Sequence, residues 1–274
     1  MRPRQVILGI VSMAVAFVIF VIPFLLVIFT AGKTAADASQ IDFTPPVRWQ
    51  FWQNLVDVVQ TRDYQLLLAY WNSTVITVGA IAGLVIFGAM VGYVMQRRDT
   101  RLTRALYFVV LSGLMIPPAV VPTIWLLQEI NLFKTLHGMI LIQIAYGLGF
   151  TVLLYRSFIA AIPRDLDEAA IIDGGTPLQI FFRVILPLLK PVTVTIIVVQ
   201  AIAIFNDFTH PLYYLPGAEN VTVQITLYNF QSQFVSQLNL LFMNILLITI
   251  PPLLVFVFFN RQIVAGMTAG GVKG

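Results

Sequence analysis

The feature that most limits what this chain can fold into is a set of six uncharged apolar runs, at residues 6–29, 73–95, 105–127, 139–155, 192–206 and 240–259. Crossing a hydrocarbon core of about 30 Å takes roughly 20 apolar residues, so each run reads as a transmembrane helix. The fourth and fifth are short. Leu188 and Leu189 extend the fifth, Lys190 can snorkel to the headgroups, and Asp207 marks the far end. Apolar residues make up 59% of the chain and charged ones 10%, which excludes a soluble enzyme with one anchor and predicts an all-α polytopic membrane protein. The first run has 24 residues, longer than the roughly 7–15 of a signal-peptide core, so it is expected as a retained span.

Sorting the cations by side gives an orientation. With the N-terminus inside, the inner segments hold Arg2, Arg4, Arg97, Arg98, Arg101, Arg104, Arg156, Arg164, Arg183, Lys190, Arg261 and Lys273, while Lys33, Arg48, Arg62 and Lys134 lie outside. Twelve of 16 on one side is a positive-inside pattern, and it makes both termini and the 156–190 loop cytoplasmic.

No run contains Asp, Glu, Lys, Arg or His in its interior. Ion-coupled carriers keep ionisable groups at mid-membrane, and channel filters need rings of carbonyls or charges, so energy for uphill transport must come from outside the chain. Gly32-Lys33-Thr34 resembles the end of a phosphate-binding loop, but the first glycine of that motif would fall on Val27 inside a span. No zincin or nucleophile-elbow motif occurs, and the chain has no cysteine. Catalytic residues and metal ligands are therefore expected to be absent, as is a nucleic-acid partner.

The 156–190 loop carries the densest local signals. Pro163 suits a first helical turn, followed by Asp165, Asp167 and Glu168; Gly174 and Gly175 then stop the helix. Thr176, Pro177 and Gln179 form a capping-box pattern for a second short helix that Pro187 is expected to end. By spacing alone, Glu168 would pair with Arg164 four residues earlier.

Within this loop, Glu168-Ala169-Ala170-Ile171-Ile172-Asp173-Gly174, nine residues and Val184-Ile185-Leu186-Pro187 resemble the EAA signature of permease subunits in binding-protein-dependent ABC importers. Val184 stands where isoleucine is usual, and Gly175 where alanine is frequent. The resemblance implies that the loop docks into a cleft on a separate ATPase dimer, which would carry ATP and magnesium. Glu168, Ala169, Ala170, Asp173, Gly174, Leu186 and Pro187 are the residues it assigns to coupling. Ala169 and Ala170 would let the helix approach a partner closely, and Gly174 would permit the sharp turn.

Phe205-Asn206-Asp207-Phe208 and the tail 259–274 look like the carbohydrate branch, that of the maltose permeases, with the resemblance covering roughly residues 71–274. It divides the chain into a first span with an external segment, 1–70, and a permease core, 71–274. It further implies a heterodimer with a second permease subunit, an external substrate-binding protein, and a bacterial or archaeal cytoplasmic membrane. The C-terminal tail, with Gly270, Gly271 and Lys273, would reach into the ATPase dimer. Polyamine and phosphate-ester permeases share the loop motif, and an ATP-independent carrier or channel is the alternative from another class.

Candidate pathway residues near the outer half are Tyr146, Asn206, Asp207, Tyr213 and Tyr214, since sugar sites combine aromatic faces with amides and carboxylates. Tyr213 and Tyr214 also suit an interfacial belt, and His210 reads as a loop residue. Gly79 and Gly83, then Gly88 and Gly92, form two GxxxG pairs about 180° apart, which predicts close helix contacts on two sides of the second span. Pro117-Pro118, and Gly147 with Gly149, are expected to distort the third and fourth spans.

Overall fold

The computed structural model describes the backbone of residues 3–231 and 237–271 and the side chains of 9–231 and 237–260. The described residues are helical apart from turns and loops. In order, the helices are α1 (Pro3–Gly32), α2 (Ala35–Ala38), α3 (Phe51–Arg97), α4 (Arg101–Ser112), α5 (Val120–Glu129), α6 (Leu136–Ile159), α7 (Asp165–Ile172), α8 (Pro177–Ile180), α9 (Leu186–Leu188), α10 (Lys190–Phe205), α11 (Thr209–Tyr214) and α12 (Leu238–Gly271). Two compact units divide the chain, Met1–Tyr70 with Thr222–Ile250, and Trp71–Val221 with Pro251–Gly274.

In the first unit, the side chains of α1 from Ile10 to Phe24 are largely exposed and apolar, which suits a helix solvated by lipid. Asn54 ties the end of α1 down by donating to the carbonyls of Ala31 and Lys33 at 2.8 and 2.9 Å, and it accepts from Asn239 at 3.0 Å. Lys33 is buried and bonded to the Asp42 carboxylate and carbonyl. Its ammonium therefore serves the fold of the segment that follows α1. The hydrogen bond from Lys33 holds Asp42 below the usual carboxylate range. Within α3, residues 61–64 leave helical geometry, and Arg62, Asp63 and Tyr64 take φ of 50°, 57° and 59°.

In the second unit, α3 and α6 lie side by side and parallel. A Cβ on Gly79, Gly83, Gly88 or Gly92 would strike Ile140, Ile144, Thr151 or Tyr155 in turn. All four glycines thus face α6, where the sequence pattern had predicted two neighbours. Gly79 and Gly83 meet the tips of the Ile140 and Ile144 side chains, whereas Gly92 lies against the Tyr155 Cβ and the Arg156 backbone, so both pairs share this one neighbour. Parallel packing requires the intervening chain to return along the pair. It does so antiparallel to α6: Arg156 stacks on Tyr107 at 3.8 Å, Gly149 meets Leu114, and Leu127 packs with Met139 and Ile142.

That returning segment is the third apolar run, and it is two helices rather than one. Pro117 and Pro118 remove two backbone donors and bias the residue before them away from helix, so α4 stops at Ser112 and α5 starts at Val120. Among the described residues, four helical segments are long and apolar enough to cross a membrane: Gly9–Gly32, Phe51–Arg97, Leu136–Ile159 and Leu238–Asn260. A fifth is obtained if Pro177–Leu188 and Lys190–Phe205, bent by 76°, form one span. α10 runs antiparallel to α6, with Tyr155 bonded to Thr193 at 2.9 Å and Gln200 to the Gly147 carbonyl at 3.2 Å.

Candidate functional site

Two constellations in the second unit are candidates, one at each end of α6. At the end shared by Arg97 and Arg156 lies the loop. α7 ends at Ile172 with Asp173 as its C-cap, and Gly174 turns the chain with φ of +79° and no atom within 4 Å of a would-be Cβ. Gly175 has the opposite constraint, since its Cβ would sit 2.8 Å from the Ala170 carbonyl oxygen. Gly174 is thus required for its backbone conformation and Gly175 for its lack of volume. The capping box is complete: the Thr176 N–H donates to Gln179 Oε1 at 2.9 Å, and the Gln179 N–H to Thr176 Oγ1 at 3.4 Å.

Pro187 does not end the second short helix. Phe181–Ile185 is a π turn in which the Leu186 N–H reaches back to the Phe181 carbonyl, and the helix continues through Pro187 to Leu188. The wider turn absorbs the donor that proline lacks, and the bend falls at Leu189 instead. Ile180, Phe181, Ile185 and Leu189 are buried against Ala89, Tyr155 and Ile159, with Ala170, Val184 and Leu186 packed on them.

The acid that anchors the loop is Asp167. It pairs with Arg97 at 2.8 Å and accepts from the Tyr93 hydroxyl at 2.5 Å, while Arg97 also donates to the Ile162 carbonyl at 3.1 Å. Glu168 is exposed, and no Glu168–Arg164 pair occurs among the described residues. Of the predicted coupling residues, Glu168, Ala169, Asp173, Gly174 and Pro187 are exposed; Ala170 and Leu186 are half-buried. The outer surface is apolar, with Ile171, Ile172 and Leu178 exposed by 61%, 85% and 61%. Asp167→Asn should leave Arg97 without its counter-charge and cost α7 about 2 kcal/mol of docking. Amide exchange over 165–172 should then accelerate by about thirtyfold.

At the other end, a cavity of about 400 Å³ lies between α6 and α10. Gln143, Tyr146 and Phe150 line one wall, Gln200 the other, and Asp207 and His210 close it. Asp207 accepts from Gln143 Nε2, from the His210 ring Nδ1 at 2.6 Å and from the His210 N–H at 3.2 Å. Burial alone would push this carboxyl up, but the His210 and Gln143 hydrogen bonds outweigh it and hold Asp207 below the usual range. The His210 ring stacks on Tyr146 with centroids 4.6 Å apart and on Tyr214 at 6.0 Å. Its Nε2 is buried with no hydrogen-bond partner among the described residues.

The cavity brings together Tyr146 and Asp207 and leaves out the other expected pathway residues. Asn206 is exposed with its amide turned back to the Ile202 carbonyl at 3.0 Å, and Tyr213 is exposed. Tyr214 is buried behind His210. Gln143 and Gln200 are not among the residues the sequence singles out, and His210, read there as a loop residue, lines the cavity. The two amides are polar side chains inside apolar runs, and His210 lies three residues after Asp207, so each had a readable signal. Gly270 and Gly271 lie in α12, where side-chain surroundings are outside the described residues, as is Lys273 altogether.

The melibiose/raffinose/stachyose import permease protein MelC of Bacillus subtilis (strain 168) is 32% identical over 209 residues, covering 75% of this chain and 76% of its own. The diacetylchitobiose uptake system permease protein NgcG of Streptomyces coelicolor is 29% identical over 257 residues, covering 92% and 84%. The fold matches that of a bacterial ABC transporter involved in the import of the acidic polysaccharide alginate, with a TM-score of 0.80 at 22% identity, covering 95% of this chain and 98% of that one. A bacterial alginate ABC transporter in complex with an alginate pentasaccharide-bound periplasmic protein matches with a TM-score of 0.68 at 16% identity over 95% and 94%. Residues 84–269 match the model of the binding-protein-dependent transport system inner membrane component family, a stretch that holds both the loop and the cavity, and the chain belongs to that family.

Proposed function

We propose that the chain is one permease subunit of an ATP-driven importer for a sugar or oligosaccharide, paired with a second permease subunit and served by an external binding protein. The observation that carries this reading is the α7–Gly174–α8 unit, whose exposed apolar face is held at a defined place by Asp167, Arg97 and the buried Ile180–Leu189 segment. That face would dock on an ATPase dimer holding ATP and magnesium, and the chain itself would perform no catalysis. The names of MelC and NgcG support a saccharide cargo. The cavity supports a neutral one. It offers amides, a histidine and aromatic faces, and its single carboxylate would repel an acidic solute.

Six crossings, with both termini and the loop in the cytoplasm, are part of the proposal. The course of α4 and α5 antiparallel to α6 supports counting the broken third run as a crossing, and the distribution of cations supports the orientation. The membrane would be a bacterial or archaeal cytoplasmic membrane. The expected mechanism is a population shift: ATPase closure favours one tilt of the spans, and the loop transmits that preference.

The test is reconstitution of the purified complex, with identification of the binding protein and ligand that co-purify. Uptake should require ATP and the binding protein, persist with an ionophore, and be lost in Glu168→Lys. Transport by this chain alone, collapsed by an ionophore and indifferent to ATP, would replace the importer with an ion-coupled carrier. A phosphate ester or polyamine on the binding protein would replace the sugar.

A further inference from the structure

Beside the loop, on the α4 side of α6, is a second hollow of about 300 Å³ that the transport reading does not use. Four arginines line it, Arg98 just after α3, Arg104 on α4, Arg156 on α6 and Arg164 before α7. One carboxylate faces them, Asp99, and it pairs with Arg104 at 3.2 Å. Arg98 and Arg164 form no ion pair among the described residues. Arg156 is held by stacking on Tyr107 at 3.8 Å and by its Nε donating to Gln96 at 3.1 Å, which leaves both Nη groups to donate elsewhere. A concave site with this excess of guanidinium forks suits the oxygens of a phosphate group.

The neighbouring surface indicates where the phosphate would come from. α4 has no buried residue, and Leu102, Leu106 and Val109 recur on one side of it, exposed by 67%, 46% and 63%. Arg104 and Tyr107 lie on the other flank and line the hollow. An apolar stripe beside a basic pocket, with an aromatic ring between them, is the pattern of a crossing helix whose end stands where acyl chains meet headgroups. A soluble phosphate would have no use for the stripe.

We propose that this hollow binds a phosphate-bearing anion, supplied as the headgroup of an anionic phospholipid whose chains lie along the exposed face of α4. The site rests on the membrane reading of the chain and is independent of which solute is carried or of how the ATPase docks.

Native mass spectrometry of the full transporter complex, released from detergent with defined lipids, tests it. Phosphatidylglycerol should remain bound to the wild type where phosphatidylcholine does not. The Arg98→Gln/Arg164→Gln pair should lower phosphatidylglycerol affinity by about tenfold or more. Arg101→Gln, at the start of α4 but outside the hollow, should leave it unchanged, and Arg98→Lys/Arg164→Lys should keep most of it, which separates lost charge from lost fold. Equal retention in the Gln pair, or an equal loss in Arg101→Gln, overturns the site. Glycerol phosphate or inorganic phosphate displacing the lipid at equal concentration overturns the lipid source. Loss of ATPase subunits from the Gln pair with lipid binding unchanged would make the hollow a protein-docking face and overturn the proposal.

Discussion

Gly174→Val, placed in the assembled transporter, is expected to reduce uptake by about tenfold or more and to weaken co-purification of the ATPase subunits. Gly174 has φ of +79°, a region that costs an L-residue roughly 1–2 kcal/mol and a β-branched one more. The cheapest relief is to rotate the turn, and that moves α7 relative to α8. Because the apolar face is built from both helices, the docking surface would be broken even though nothing buried has changed. Gly174→Asn provides the contrast: asparagine tolerates this conformation, and no atom lies within 4 Å of its Cβ, so uptake should stay near wild type. Wild-type uptake and assembly in Gly174→Val would remove the loop from the coupling mechanism.

Asp207→Ala is expected to cause a comparable loss of uptake by a different route, with the ATPase and the binding protein still assembled. The substitution strands the Gln143 amide, the His210 ring donor and the His210 N–H at once. An abandoned buried donor costs about 1–3 kcal/mol, so the cavity wall would rearrange rather than tolerate three. Asp207→Asn keeps one acceptor and should fall between. Since the carboxyl lies below its ordinary value, the network is intact at any pH above the usual aspartate pKa of about 3.9 and is lost only as pH falls through the lowered value. Uptake by wild type should therefore show no Asp207 titration near neutrality. If Asp207→Ala transports normally with an unchanged apparent KM, the cavity is not part of the solute path.

Much of the loop was readable from local chemistry. A capping box is a contact between residues three apart, and Thr176 with Gln179 makes it whatever surrounds them. The anchoring acid was not readable in the same way. Asp167 and Glu168 are adjacent on one helix, and the choice between them is made by where Arg97 and Tyr93 arrive from α3, some seventy residues earlier in the chain. The two-neighbour reading of the glycine seam failed for a related reason, because angular spacing on one helix does not say which neighbour arrives against it. In the cavity, charge marks Asp207 in the sequence, whereas the amides of Gln143 and Gln200 cost less to bury and so leave a weaker mark on hydropathy.

The parallel α3–α6 seam also sets an order of assembly. Gly79 through Gly92 cannot meet Ile140 through Tyr155 until about sixty further residues have been made and the broken third run has returned alongside. At roughly 5–20 residues per second, that is about 3–12 s during which α3 sits in the bilayer with its grooved face filled only by lipid. Small residues attract any close-packing helix, so this interval is when a wrong partner could be taken. An insertion lengthening the stretch before α6 would extend that exposure without touching a single contact in the finished protein.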